Sequence, residues 1–226
     1  MLLWVREELC REGNWAAWNT CYSENKSHFG RHELGFRFTL DLLLEQFSRR
    51  AVRVLEIGCG QGYIMESLYE QFSRNWSAPQ KEESRFVGLD ASEAAIIQSD
   101  DRVPECYWIA DELQRFLTHP LAAYWQGEFD LIFSMGGFTY IKAEEECRKC
   151  AKGLKALLKP RGMFTYFISE GYYRDKWTPK FCKGWSVDQL EIFRQEFGRE
   201  ENRDLSAYIR RIYHNDVPMP ADRPDL

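Results

Sequence analysis

The sequence predicts an α/β fold built on a mostly parallel sheet, and three observations carry that expectation. From residue 51 onward, short β-branched and aromatic runs alternate with helix-length segments. Those runs are apolar almost throughout, as strands covered on both faces are. A glycine-rich turn, "LEIGCGQGYI" at residues 55–64, follows the first of them. At 226 residues the chain has room for one such domain with additions.

Residues 1–48 read as an amphipathic helical segment rich in aromatics, among them Trp4, Trp15, Trp18 and Phe36, interrupted by the loop-like "YSENKSHFG". Five strands are expected next: "RVLEIG" (53–58), "RFVGLD" (85–90), "CYWIA" (106–110), "FDLIFSM" (129–135) and "GMFTYFIS" (162–169). Ile64, Leu68 and Phe72 mark the apolar face of the helix after the first strand. "SRNWSAPQKEES" (73–84) is polar, contains a proline and reads as a surface loop. "KPRG" (159–162) reads as a turn, with Pro160 ending one helix and Gly162 easing the reversal into the fifth strand. Ser186 with Gln189 three residues on opens a further helix as a capping box, and "LSAYIRRIYHND" supplies a last strand. "VPMPADRPDL", with three prolines in ten residues, reads as a loose end. The expected organisation is a helical lid or substrate-side segment at 1–48, a core at 49–215 and a tail at 216–226.

Composition excludes some functions. A net charge of −5 has the wrong sign for a surface that neutralises many phosphates, so no nucleic-acid partner is expected. Only five apolar residues precede the first charge in "MLLWVREELC", and no stretch approaches the roughly 18 apolar residues that span a bilayer. No membrane association and a cytoplasmic location are expected. Seven cysteines, an odd number, favour free thiols over a disulfide framework. Cys147 and Cys150 form a CxxC with no second pair of ligands, and they fall with Ala151, Leu154, Leu157 and Leu158 on one apolar helix face. They read as core, and no metal is expected.

Gly58, Gly60 and Gly62 within five positions imply backbone angles or a close approach that a Cβ would forbid. In open α/β sheets ligands bind beyond the carboxyl ends of the strands. Asp90 and Asp111 end the second and third strands, where the first suits the two hydroxyls of a ribose and the second an adenine amino group. Each could instead cap a helix, since "DASEAAI" and "ADELQRF" begin helix-like segments. A nicotinamide-binding oxidoreductase is the nearest competitor, but its G-x-G-x-x-G is absent: the spacing is G-x-G-x-G and Tyr63 stands where the last glycine belongs. Glu56 beside the turn would also repel a pyrophosphate, whereas it suits an ammonium.

On these residues the chain resembles the class I S-adenosylmethionine-dependent methyltransferases. "VLEIGCGQG", "VGLDAS", "ADEL", "FDLIFSMGGFTYI" and "LKPRGMFTYF" are similar to that family's successive motifs, from about residue 51 to 169. The resemblance implies a Rossmann-like, doubly wound, mostly parallel seven-stranded sheet. It also implies S-adenosylmethionine as cofactor and S-adenosylhomocysteine as product. Cofactor contacts are expected at Glu56, Gly58, Cys59, Gly60 and Gly62, at Asp90 and Ala91, at Asp111 and Glu112, and at Ser134, Met135 and Gly136.

Acceptor classes are narrowed by what is missing. "SMGGFTY" departs from the Asn- or Asp-Pro-Pro-aromatic run of enzymes that methylate exocyclic amines of DNA bases, and no Pro-Cys nucleophile is present. Ser134 and Met135 stand where aminopropyl transferases of this fold carry acids. An O, N or S nucleophile of a small molecule is the expected acceptor; a protein side chain, or a non-catalytic cofactor-binding subunit, are the alternatives. His28 and His32, four residues apart in the segment expected to cover the site, are candidate bases, with Tyr140 and Tyr172 as rivals.

Overall fold

The computed structural model describes residues 2–3, 20, 23, 41, 45, 50–74, 76–135, 141, 143–169, 187–202 and 208–215. The expected 1–48 segment lies almost wholly outside the described residues, as do Tyr172, Ser186 and the tail at 216–226. Where the first segment is described at its start it is not helical: Leu2–Leu3 form a short strand, β1.

The core strands are β2 (Arg53–Ile57), β3 (Arg85–Asp90), β4 (Tyr107–Ala110), β5 (Phe129–Met135), β6 (Leu158–Ser169), β7 (Glu200–Asn202) and β8 (Tyr208–His214). They join in the order β1-β4-β3-β2-β5-β6-β8-β7, eight strands against the seven expected. The run from β1 to β6 is parallel, while β8 and β7 add antiparallel to the β6 edge. β1 lies beside the short β4, where an edge strand would otherwise leave its backbone unpaired.

Helices cover both faces. α1 (Tyr63–Ser73) and α3 (Glu93–Arg102) bring Met65, Leu68, Phe72 and Ile96 onto Val54, Trp108, Leu131 and Phe133. On the opposite face, α6 (Glu144–Leu157) and α7 (Val187–Phe197) bring Cys147, Cys150, Leu154 and Phe193 onto Leu55, Ile57, Ile132 and Phe164. Strand residues thus alternate between two apolar layers, Val54 to one and Leu55 to the other. Cys147 and Cys150 are buried, with their thiols pushed up to about 12 by burial. Among the described residues no group of three or more His, Cys, Asp or Glu is arranged to hold a metal ion.

Local structure departs from expectation in three places. Residues 78–83 form a short helix, α2 (Ala78–Glu83), instead of a loop. Ser77 starts it by donating its N–H and hydroxyl to Gln80 Oε1 at 2.9 and 3.0 Å. "CYWIA" begins its strand at Tyr107. "KPRG" is a bulge inside β6 rather than a turn before it, because Phe129 pairs with Leu158 but Leu131 with Met163.

A buried acid secures the amino-terminal end of the sheet. Asp130, 1% exposed, accepts the backbone N–H of Arg53 at 2.9 Å and Lys159 Nζ at 2.9 Å, and pairs with Arg50 at 3.1 Å. Asp130→Ala should lower stability by about 2–3 kcal/mol, since it removes the acceptor of the Arg53 N–H and the partner of the largely covered Lys159 ammonium. Ligand affinity, which depends on the other end of β2, should stay within twofold. Urea unfolding and calorimetry on one preparation check both halves of this expectation.

Candidate active site

The strand ends lie in step. Ile57 is opposite Leu89 on one side and Ser134 on the other, and Asp90 is opposite Ala110. Residues following these positions therefore emerge together at one rim, where the chain steps from β3 and β4 on one side of β2 to β5 on the other. The structure gathers Glu56, Gly58, Cys59, Gly60, Gly62, Asp90, Ala91, Asp111, Glu112, Ser134 and Met135 at that rim. Gly136, His28, His32 and Tyr140 lie outside the described residues.

All three turn glycines have left-handed backbone, with φ of 72° at Gly58, 53° at Gly60 and 75° at Gly62. Side chains other than glycine rarely adopt these angles. The turn is tied to the strand beside it: Gly58 N–H and Cys59 N–H both donate to Leu89 O, at 2.8 and 3.2 Å. Gly62 has a second reason to lack a side chain, because a Cβ there would lie 2.8 Å from the Trp108 ring and 3.1 Å from Ser99. Trp108 also covers Gly88, and its Nε1 donates to Val103 O at 3.0 Å. Cys59 turns its thiol into this same apolar layer, away from solvent.

Asp90 caps neither helix nor turn alone; it bridges them. Its Oδ2 accepts Gly60 N–H at 2.9 Å and its Oδ1 accepts Ser92 N–H at 2.8 Å. The cap of α3 is Ser92, whose hydroxyl oxygen accepts Ala95 N–H at 3.2 Å. Asp111 is similar: Oδ1 accepts Glu112 N–H at 2.9 Å and lies 3.4 Å from Arg115, while Glu112 occupies the cap position of α4 (Leu113–Thr118). Ser134 closes the rim by donating its hydroxyl to Ile57 O at 2.9 Å.

Three carboxyls at this end are raised from their ordinary values. Glu56, 1% exposed, is raised well above 4.5 by burial and then by the charge of Asp90. Asp90 is raised by burial, against the two N–H groups that favour its charged form. Asp111 is pushed up to about 6 by burial, against Arg115. Oε2 of Glu56 and Oδ2 of Asp111 are buried and accept no hydrogen bond. Such a cluster favours a ligand bringing a cation and hydrogen-bond donors, which would offset the cost of burying acids. An ammonium, a ribose and an adenine amino group meet that description.

Ser99, Arg102 and Trp108 also shape this rim and escaped the sequence reading, since none belongs to a short motif and each meets the turn only through the fold. Ser92 stands within "VGLDAS", but its role as the cap of α3 was not read there.

An open sheet wound on both faces, with a left-handed glycine turn and an acid at each of the next two strand ends, defines a Rossmann-like cofactor-binding domain. Residues 55–164 match the model of a methyltransferase domain. The fold is that of the class I S-adenosylmethionine-dependent methyltransferases. It is similar to the N-methyltransferase NodS from Bradyrhizobium japonicum, crystallised with S-adenosylhomocysteine (TM-score 0.62, 17% identity, 91% of this chain and 100% of that one). It is similar also to a possible histamine N-methyltransferase from Thermotoga maritima (0.60, 14%, 90% and 100%). Magnesium protoporphyrin IX methyltransferase from Synechocystis, crystallised with S-adenosylmethionine, is a third (0.60, 12%, 92% and 98%). No curated protein matches the sequence. No helix among the described residues is long and apolar enough to cross a membrane.

The Asp111 shift makes a pH prediction. Between its unfolded value near 3.8 and about 6, the folded chain holds the proton more often, so this group's contribution to stability declines as pH rises through that window. Asp111→Asn removes the ionisation and should stabilise the ligand-free chain at pH 7 by up to ~3 kcal/mol, a net figure in which the opposing Arg115 is already counted. The gain over the parent should fade towards about pH 4. Thermal melts of both proteins across that range check the sign; a variant less stable than the parent at pH 7 would contradict it.

Proposed function

We propose that the chain binds S-adenosylmethionine at this rim and methylates an O, N or S nucleophile of a small molecule. The observation that carries the reading is the buried Glu56 and half-buried Asp90 beside the left-handed glycine turn: two raised carboxyls, one with an unpartnered oxygen, where a cationic amino-acid group and a ribose would sit. S-adenosylmethionine supplies a methyl group already activated on a sulfonium. The protein's task is then to hold an acceptor in line and exclude water, and orientation alone contributes roughly 7–11 kcal/mol to barrier lowering. Glu56 balances the ammonium, Asp90 accepts from the ribose hydroxyls, and Asp111 accepts from the adenine amino group. Ser134 and Met135 line the methyl side. His28, His32 or Tyr140 takes the acceptor's proton.

A small acceptor is supported by the missing base-methylation motifs at residues 134–140 and by the net charge of −5. Two of the similar structures, the possible histamine and the magnesium protoporphyrin IX methyltransferases, are named for small-molecule acceptors.

Calorimetry with S-adenosylhomocysteine should give micromolar-range binding, and none with NAD. Asp90→Ala removes the ribose acceptor and the bridge between Gly60 and Ser92. It should weaken S-adenosylhomocysteine by about 1.5–3 kcal/mol in a folded protein. Tight NAD binding without S-adenosylhomocysteine binding would reverse the assignment, and an unchanged constant for Asp90→Ala would reduce that carboxylate to a backbone brace.

A further inference from the structure

The glycine turn carries few side chains of its own, so its shape must be held through main-chain groups. Two of its carbonyls are taken by one helix. Ser99 Oγ, fully buried on α3, donates to Gly60 O at 2.8 Å, and Arg102 Nε, one helical turn further, donates to Gln61 O at 3.0 Å. Arg102 reaches beyond the turn as well. Its guanidinium lies 3.8 Å from the centre of the Tyr63 ring, and its Nη1 lies 3.5 Å from Glu66 Oε2. Tyr63 and Glu66 belong to the first turn of α1. Gln61 and Gln98 are also hydrogen-bonded through their side chains, adding another tie between turn and α3.

From this we infer that Arg102 is a positioning residue for the cofactor turn, acting through the Gln61 carbonyl and the first turn of α1 rather than on any ligand. The inference rests on the proposed S-adenosylmethionine reading of the rim. The same helix that starts at the Asp90-bound Ser92 ends by gripping the turn that Asp90 also holds. Turn, acid and helix form a closed circuit in which the distance from the glycines to Asp90 is fixed at both ends of α3. Arginine suits the role because its planar fork donates to a carbonyl while stacking on a ring and facing an acid; the compact ammonium of lysine has no such fork with which to meet all three at once. The Arg102 side chain is 28% exposed, so its loss opens no core cavity.

The test uses the full chain with Arg102→Met, which keeps an apolar stem over Tyr63, and Arg102→Lys, which keeps the charge. S-adenosylhomocysteine binding by calorimetry should weaken about tenfold or more in Arg102→Met, and less in Arg102→Lys. Hydrogen exchange of the ligand-free proteins should accelerate at residues 60–63 in Arg102→Met while β5 and β6 keep their protection. Equal affinity in parent and Arg102→Met, or a uniform loss of protection across the fold, would overturn the assignment. A parent that binds no S-adenosylhomocysteine sinks the cofactor reading instead, and exchange at residues 60–63, measured without ligand, still decides whether Arg102 holds the turn.

Discussion

Everything at the functional rim depends on the chain turning sharply out of β2 with left-handed backbone at Gly58, Gly60 and Gly62. Such a turn has few side chains with which to brace itself, and glycine loses the most conformational entropy on ordering. Its order therefore comes from neighbours: Leu89 O receives two of its N–H groups, Asp90 a third, and α3 side chains hold two of its carbonyls. The indole of Trp108 fills the volume that a side chain at Gly62 would need. The glycines and the tryptophan are two halves of one packing solution, written on separate strands.

The two ends of the sheet treat buried acid in opposite ways. At the amino-terminal end Asp130 is saturated, with a backbone N–H and two cations around it. At the carboxyl end Glu56 and Asp111 each keep an oxygen without a hydrogen-bond partner, and burial raises both above their ordinary values. A saturated buried charge holds structure, whereas an unsaturated one costs stability until a ligand completes it. Buried acids thus stand fully partnered at one end of the sheet and incompletely partnered at the other, and only their partners distinguish them.

That distinction also sets what was legible in the sequence. Continuous apolar runs separated by helix-length segments were enough to read the five parallel strands, because two-sided burial leaves a composition signature. The order of Glu56, the glycines, Asp90 and Asp111 along successive strand ends was likewise visible. Reasons for individual residues were not. Gly62 reads as a ligand contact in the sequence, and its second reason to be glycine, the closeness of Trp108 and Ser99, lies 46 and 37 positions away along the chain. Arg102 and Ser99 look like ordinary helix residues, since their partners are backbone carbonyls that carry no sequence identity. α2 was hidden by its proline, which at the first turn of a helix costs nothing. The pairing of Leu2–Leu3 with β4 is a long-range contact with no local periodicity to announce it.

The bulge in β6 shows how the amino-terminal end of the sheet is braced. Arg161 adopts left-handed backbone, φ 65°, which costs a non-glycine residue about 1 kcal/mol. Asn215 offsets it. Its backbone carbonyl accepts Arg161 N–H at 2.7 Å, its N–H donates to Gly162 O at 2.9 Å, and its side-chain amide donates to Leu158 O and Lys159 O at 3.2 and 3.0 Å. Held this way, the bulge presents Lys159 to Asp130, and Asp130 in turn fixes Arg53 N–H at the start of β2. From there five strand residues, about 17 Å at the usual rise, lead to Ile57 and the glycine turn. A residue just after the last described strand therefore helps hold the start of the central one in register, at the end of the sheet opposite the rim.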